Sequence, residues 1–171
     1  WIRRDLRLVD DQALQAALKT GGPVIPVFVL DERLLDSSYT GEKRLGFLFA
    51  GLRALHKDLS ARGSQLIMRQ GEPQTELRKL MQETEAHAIY AEPDYSPFAH
   101  QRDRQCDAEL PIFWCGGPSV QPPGSVTKPD GDPYIVYSPF KRAWKTIPQP
   151  SPQEDFRAPE KIQTPKEVSS L

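Results

Sequence analysis

An almost uninterrupted apolar run at residues 24–30, VIPVFVL, constrains the fold of this chain more than any other segment. A strand with one solvent-exposed face alternates polar and apolar residues, so a continuous apolar run indicates a strand that is covered on both faces. Pro26 has no backbone N–H, and we therefore expect pairing there to be irregular or confined to one side. A doubly covered strand needs helices above and below it, which points to an α/β domain.

Helical and strand-like patterns alternate along the first 116 residues. The clearest helix carries leucines at spacings of three and four: Leu45, Leu48, Leu52, Leu55 and Leu59. Three more apolar segments have the composition of short strands, at residues 66–68, 87–91 and 112–114. Helix starts are expected at Asp10, Pro73 and Ser96. The repeated β-α order predicts a doubly wound parallel sheet with helices on both faces.

Proline separates the packed part of the chain from its tail. Six of the 17 prolines precede residue 117, and eleven follow it, where long helices and central strands become unfavourable. We expect a packed domain at residues 1–144 and a proline-rich linker at residues 145–171. Trp1 and Ile2 have the character of a strand end, so we expect that strand to begin several residues earlier.

Composition argues against several classes of function. The 22 basic and 23 acidic residues nearly cancel, so no overall field draws the chain to a polyanion such as DNA. No apolar run approaches the roughly 20 residues that span a bilayer, and no basic leader precedes an apolar stretch. We therefore expect a soluble, cytoplasmic protein that does not bind membranes.

Motifs for metal, phosphate and hydrolytic chemistry are missing from the sequence. Cys106 and Cys115 belong to no CxxC pair or Cys/His cluster, and we interpret them as reduced core thiols. The three histidines have no partner at metal-ligand spacing, so we predict no metal site. No GxGxxG, GxxxxGK[ST] or GxSxG motif occurs in the expected context, and we predict no catalytic residues in this chain.

Ligands of open parallel sheets bind beyond the carboxyl ends of the strands. The loops expected at that edge span residues 3–10, 31–44, 70–73 and 92–102. The first of them carries Arg3, Arg4, Asp5 and Arg7. Three guanidinium groups around one carboxylate can brace the loop, or they can present donors to a ligand, and both interpretations stay open here.

The opening residues 1–14, WIRRDLRLVDDQAL, closely resemble the signature of the photolyase/cryptochrome family, usually written W-[FH]-R-R-D-L-R-x-x-D-N-x-A-L. The similarity continues in the family's order through six more segments: IPVFVLD at 25–31, RxxFL at 44–48, ARGSxL at 61–66, GEP at 71–73, DYSPFAxxRD at 94–103 and KPDGDPYIVYSPFKRAW at 128–144. Nearly all of residues 1–150 is covered.

The resemblance implies a five-stranded Rossmann-like domain joined by a linker to a helical domain, absent here, that holds FAD and binds damaged DNA. The implied enzyme is a deoxyribodipyrimidine photolyase, which splits cyclobutane pyrimidine dimers in light. A cryptochrome-like blue-light receptor and a free-standing nucleotide-binding module are the alternatives. We expect this chain to be inactive alone, monomeric, and in contact with the helical domain.

Phe140, Lys141, Arg142 and Trp144 could touch that domain or DNA, although a cap on the sheet edge is the favoured interpretation.

Members of the family can also carry an antenna pigment in the α/β domain. A methenyltetrahydrofolate antenna is disfavoured, because Tyr39 or its neighbours and Ser96 stand where folate binders tend to have His and Glu. An 8-hydroxy-5-deazaflavin, FMN or FAD antenna fits better, and Ser96 departs from that pattern too. The resemblance assigns its contacts to Arg4, Val29, Leu30, Arg44, Leu48, Asp94, Tyr95 and Arg102. Val29, Leu30 and Leu48 would line an apolar slot with Arg44, Asp94 and Arg102 at its rim.

Overall fold

The computed structural model describes residues 1–35, 40–148 and 157–171. Its helices are α1 (Gln12–Leu18), α2 (Glu32–Leu35), α3 (Glu42–Ser60), α4 (Pro73–Thr84), α5 (Pro97–Asp107) and α6 (Tyr137–Thr146). Its strands are β1 (Val27–Leu30), β2 (Ile67–Gln70), β3 (Ile89–Ala91) and β4 (Ile112–Trp114). The first five helices alternate with the strands in the predicted order, apart from the additional short helix α2.

The strands form two parallel pairs. In one pair β1 lies beside β2 with Val27 opposite Ile67, and in the other β3 lies beside β4. The first two residues lie between the pairs, because Ile2 N donates to Val27 O at 2.8 Å and the Trp1 amino group donates to Tyr90 O at 2.7 Å. Ile2 also forms a parallel bridge with Phe28. Among the described residues the sheet ladder consists of these two pairs and this bridge, and a separate antiparallel bridge joins Thr127 and Pro133.

β1 is shorter than the apolar run that predicts it. The run starts at Val24, but Val24 N donates instead to Gln163 O in the tail, at 2.8 Å. Pro26 offers only its carbonyl, which accepts from Ile67 N on the β2 side. The regular ladder therefore begins at Val27, and the expectation of one-sided pairing at Pro26 is confirmed.

The sheet residues are buried on both faces, as the continuous apolar run predicts. Val27 and Val29 belong to one core with Leu77 and Leu80 of α4. Phe28 belongs to a second core on the opposite face, with the α3 leucines at positions 52, 55 and 59 and Leu14 of α1. Successive strand residues point to opposite faces, so a single short strand contributes to both cores.

The predicted helix starts are correct at two positions and wrong at one. Pro73 opens α4, and the Ser96 hydroxyl caps α5 by accepting from Ala99 N at 3.3 Å. Asp10 does not cap α1, because the neighbouring Asp11 does so, accepting from Leu14 N at 2.8 Å. Asp10 has a φ of +57°, whereas a capping residue needs the extended backbone that Asp11 adopts.

The described part of the tail packs against the domain. Ile162 N donates to Arg62 O at 3.0 Å, and Leu171 N donates to Met68 O at 3.1 Å. The side chains of Ile162 and Val168 are buried, one in each core. Residues 157–171 therefore pack on the domain through these two apolar side chains, whose burial is favourable, and the assignment of residues 145–171 as an interdomain linker stays a prediction. The domain boundary at residue 144 stays a prediction.

Candidate functional site

Arg3 lies at the centre of the loop that follows Ile2. Its guanidinium donates to both oxygens of Asp103 on α5, at 2.7 and 2.8 Å, and to Glu92 O after β3. The Arg3 guanidinium carbon also lies 4.8 Å from the centroid of the Trp1 ring and 5.1 Å from that of Trp114. The side chain is only 7% exposed, so Arg3 braces the loop and presents little surface to a ligand.

Arg102 is a second buried guanidinium in the same cluster. It donates to Asp103 Oδ1 from Nε at 2.9 Å and from Nη2 at 2.8 Å, and it lies 5.0 Å from the centroid of the Trp1 ring. Arg102 itself is 9% exposed. The Asp103 carboxylate thus accepts hydrogen bonds from two arginines. The sequence suggested that arginines brace this loop around Asp5, whereas in the structure Asp103 is the acceptor.

Asp5, Asp11 and Glu92 form a buried acidic cluster beside this brace. One oxygen of each lies within 4.8 Å of one oxygen of each of the others. Burial raises the pKa of Asp11 to about 6 and that of Glu92 to about 6. Arg7 offsets part of the charge, with Nη2 lying 3.2 Å from Glu92 Oε1. Asp11 and Glu92 therefore keep their protons to a higher pH than exposed carboxylates do, because burial and the neighbouring carboxylates both disfavour their ionised forms.

The acidic cluster escaped the sequence analysis for a physical reason. Asp5, Asp11 and Glu92 have no motif spacing in common, and a loop and a strand end bring them together. The available signals were that Asp5 lies in the first ligand loop and that Glu92 directly follows β3, both at the edge where ligand loops meet.

Arg4, Asp94 and Tyr95 line the accessible part of the predicted antenna site. Arg4 Nη1 lies 3.4 Å from Asp94 Oδ1, and the Arg4 side chain is 72% exposed. Asp94 also accepts from Ser96 N at 3.1 Å, and this hydrogen bond and the Arg4 charge help to lower its pKa although burial acts to raise it. The Tyr95 ring lies 6.5 Å from that of His100. Arg4 and Asp94 lie at the rim of a crevice of about 20 Å³, and Tyr95 is not among the residues that line it.

The three residues predicted to line one apolar slot do not share a surface. Leu30 and Leu48 pack against the core on the α3 face, whereas Val29 is buried in the core on the α4 face. Adjacent residues of a strand cannot line the same side of a sheet, which is why Val29 separates from Leu30. The slot of Val29, Leu30 and Leu48 stays a prediction, in which Leu30 and Leu48 would form one wall and Val29 would lie in the other core.

Two remaining positions bear on the choice of antenna. Arg44 lies exposed in the first turn of α3, and its role at the rim stays a prediction. Tyr39, which entered the comparison with folate binders, lies outside the described residues.

A larger cavity lies at the opposite edge of the sheet. It has a volume of about 540 Å³ and is bounded by the amino ends of β1 and β3, by α1 and by α4. No residue predicted to contact an antenna lines it. Among the described residues there is also no helix long and apolar enough to cross a membrane.

The family model for DNA photolyase matches residues 1–160. The deoxyribodipyrimidine photo-lyase of Synechococcus sp. is 33% identical over an alignment that covers all of this chain and 34% of that relative. The crystal structure of a bacterial class III photolyase from Agrobacterium tumefaciens superposes with a TM-score of 0.83 at 30% identity, covering 99% of this chain and 35% of that one.

An archaeal photolyase from Sulfolobus tokodaii superposes with a TM-score of 0.68 at 25% identity, covering 99% of this chain and 38% of that one. Its structure is described as having two FAD molecules and as implying a novel light-harvesting cofactor. This chain thus spans little more than a third of the length of each of these three proteins.

Proposed function

The chain belongs to the DNA photolyase family, and from that premise we propose that it forms the N-terminal α/β part of a deoxyribodipyrimidine photolyase. The family match over residues 1–160 is the observation that carries the proposal. Because the chain spans 34% of its Synechococcus relative, the repair activity is proposed for a longer protein of which this chain is one part. We propose the cytoplasm as its location.

The proposed reaction is the light-driven splitting of a cyclobutane pyrimidine dimer. Two carbon–carbon bonds of the cyclobutane ring break, and the electron that starts the cleavage is supplied by reduced FAD and returns to it, so no net oxidation occurs. We propose that FAD and the damaged DNA bind mainly to a helical domain outside this chain. The candidate site described here has no nucleophile paired with a base, and we expect this chain alone to be inactive.

We propose that this chain supplies an antenna site for a pigment of the flavin type, namely 8-hydroxy-5-deazaflavin, FMN or FAD. Such a pigment absorbs light and passes the excitation through space, so the protein needs only to hold it and exclude solvent. Arg4, Asp94, Tyr95 and Arg44 would provide polar contacts, and Leu30 and Leu48 an apolar wall. The two FAD molecules of the Sulfolobus relative support a flavin over a folate.

The present arrangement of the rim does not itself enclose such a pigment. Ligand pockets for molecules of that size hold roughly 300–1,000 Å³, whereas the crevice beside Arg4 and Asp94 holds about 20 Å³. Arg4 is the exposed partner of this ion pair, so its side chain can move away at a small cost in free energy. Val29 and Arg102 are buried below the surface and would act by positioning other residues.

The antenna proposal is tested on the full-length protein with its catalytic FAD bound. Apoprotein lacking the antenna is titrated with each flavin-type pigment and with methenyltetrahydrofolate, and a second pigment equivalent is measured by absorbance. We expect Arg4→Ala and Asp94→Asn to weaken binding of the flavin-type pigment about tenfold, whereas Arg53→Ala, an exposed arginine of α3, leaves it unchanged. Binding of the folate alone, or equal affinity in all variants, would contradict the assignment.

We propose that the surface around α6 contacts the helical domain. Ile135, Val136 and Tyr137 are 95, 57 and 70% exposed, and α6 has no buried residue. An apolar row left in water at the start of a helix is typical of a surface that another unit covers. Residues 145–171 would then lead to that domain, and the protein would be a monomer.

We also propose that Trp1 and Ile2 act as the middle member of a single five-stranded sheet, in the order β2, β1, Trp1–Ile2, β3, β4. The support is that Ile2 donates to β1 while the Trp1 amino group donates to β3. Residues that bond to both neighbours in this way occupy the position of a central strand.

The activity is tested by repair of a dimer-containing oligonucleotide by the full-length protein under near-ultraviolet or blue light. We expect dimers to disappear in light and to persist in the dark. Persistence in bright light with FAD bound and reduced would overturn the photolyase proposal and favour a cryptochrome-like receptor. Tight binding of ATP or AMP by this chain would instead favour a nucleotide-binding module, for which the sequence contains no phosphate loop.

A further inference from the structure

The outer edge of β2 is a place where this sheet could accept another strand. Among the described residues β1 is the only strand that pairs with β2. That pairing uses the odd-numbered residues of the β2 segment, because Ile67 N donates to Pro26 O and Gly71 N donates to Leu30 O. The even-numbered residues therefore direct their backbone groups away from β1. An edge with such groups is a template for pairing with another chain.

The tail covers this edge at Met68. Met68 N donates to the Ser170 hydroxyl at 2.9 Å, and Met68 O accepts from Leu171 N at 3.1 Å. One of these two partners is a side-chain oxygen and not a backbone carbonyl, so the contact does not continue as a regular ladder. Residues 157–171 accordingly contain no strand. The tail thus closes the edge without forming a new edge strand.

Hydrogen bonds and a buried side chain hold the tail in this position. Val24 N donates to Gln163 O at 2.8 Å, and the Thr164 hydroxyl donates to Val24 O at 2.6 Å. Val168 is 9% exposed and belongs to the core on the α4 face. It lies two residues before Ser170, which makes it the nearest apolar anchor of the contact. The cover over the β2 edge therefore depends on the burial of Val168.

The edge beneath the tail is complementary to a second copy of itself. In an antiparallel pair with Met68 at the two-fold axis, each Met68 faces its counterpart. Leu66 of one copy then lies opposite Gln70 of the other, and Ile67 lies opposite Arg69. No like charges face each other across the pair, and the Arg69 charge is already matched by an acidic side chain of α4. A two-fold arrangement of this kind is the usual form of a homodimer.

We infer that residues 157–171 form a strap that keeps β2 from pairing with β2 of a second copy, and that release of the strap converts the monomer into a two-fold dimer joined at Met68. The N–H and C=O groups of Met68 are satisfied in either state, by the tail or by the second copy, so the exchange leaves no buried amide unpaired. The inference depends on the tail and on β2, and it is independent of the proposed pigment and repair activity.

The first part of the test releases the strap in the full-length protein. Val168→Asp places a carboxylate in an apolar core, where it is unfavourable, so the tail should detach. We expect the mass measured by sedimentation equilibrium to rise with concentration toward twice the monomer value. Amide exchange at Met68 in the dilute monomer should speed up about tenfold or more. Val168→Ser, a milder change, replaces Val168→Asp if the charged variant does not fold.

The matched control introduces the same charge elsewhere in the tail. The Leu171 side chain is already 73% exposed, so Leu171→Asp should leave the strap attached and the protein monomeric. A synthetic peptide with the sequence of residues 157–171 should return the released Val168 variant to a monomer.

The second part of the test identifies the surface that pairs. In the Val168→Asp background, Gln70→Pro removes an outward N–H of β2, whereas Gln70→Ala keeps it. We expect the proline variant to be monomeric and the alanine variant to dimerise. A dimer that survives Gln70→Pro would show association through the exposed core and would overturn the inference. A released protein that stays monomeric would overturn it too, whether Met68 exchanges rapidly or is protected by another segment of the same protein.

Discussion

Arg3 donates hydrogen bonds from Nη1 to both carboxylate oxygens of Asp103, at 2.7 and 2.8 Å. Arg3 lies in the loop after Ile2, and Asp103 lies in α5, 100 residues further along the chain. The side chains are 7 and 13% exposed, and Arg102 donates to the same carboxylate. The pair therefore joins the two segments that carry the proposed antenna contacts Arg4, Asp94 and Tyr95.

Removal of Arg3 is expected to destabilise the fold. Arg3→Ala leaves Asp103 largely buried with one counter-charge fewer, and breaking a buried ion pair in this way costs about 3 kcal/mol. The control is Arg53→Ala, which removes an exposed arginine of α3 and should change the free energy of unfolding by less than about 0.5 kcal/mol. Denaturant unfolding measures both. Equal stability of the two variants would show that the Arg3 pair contributes little.

The acidic cluster predicts an unusual dependence of stability on pH. The pKa values of Asp11 and Glu92 are raised to about 6, first of all by burial, so between about pH 4 and 6 the folded protein binds more protons than the unfolded chain. The free energy of unfolding therefore falls as pH rises through this window.

Unfolding by denaturant at half-unit steps from pH 4 to 8 should consequently show a free energy of unfolding that falls between about pH 4 and 6. Asp11→Asn keeps a side-chain oxygen that can cap α1. Both Asp11→Asn and Glu92→Gln should reduce the change in the free energy of unfolding between about pH 4 and 6. Glu160→Gln, a change of an exposed carboxylate in the tail, should leave the profile as it is. A stability that rises steadily from pH 4 to 8 in the unsubstituted chain would refute this account.

The order of helices and strands was predictable because the buried face of each segment determines the spacing of its apolar residues. The α3 leucines recur at helical spacing since they face one core, and the run that ends in β1 is continuous since its strand faces two. The family signature at residues 1–14 likewise pointed to the loop that carries Arg3 and Arg4.

Pairings between distant segments were not predictable in the same way. Asp103 leaves no local sign that it accepts from Arg3, and the choice of Asp11 over Asp10 as a cap depends on backbone angles that two adjacent aspartates do not reveal. The family resemblance also does not specify the face of a strand, so it did not reveal that Val29 and Leu30 pack in different cores.

The cap of α5 gives a local test near the antenna site. Ser96→Ala removes the acceptor for Ala99 N and should lower the free energy of unfolding by about 1 kcal/mol. Ser96→Thr retains a hydroxyl acceptor and should recover most of the loss. Chemical denaturation of the three proteins measures the effect, and a threonine variant as weak as the alanine variant would show that the hydroxyl is not the cause.

The buried tail predicts that residues beyond the packed domain contribute to its stability. Ile162 is 1% exposed in the core on the α3 face, so Ile162→Ala should create a cavity and cost about 3 kcal/mol. Leu171 belongs to the same tail but is 73% exposed, and Leu171→Ala should cost less than about 0.5 kcal/mol. Denaturant unfolding compares the two variants. Because a flexible linker would tolerate both changes equally, a large difference between them would show that residues 157–171 fold as part of the domain, and equal small losses would show that they do not.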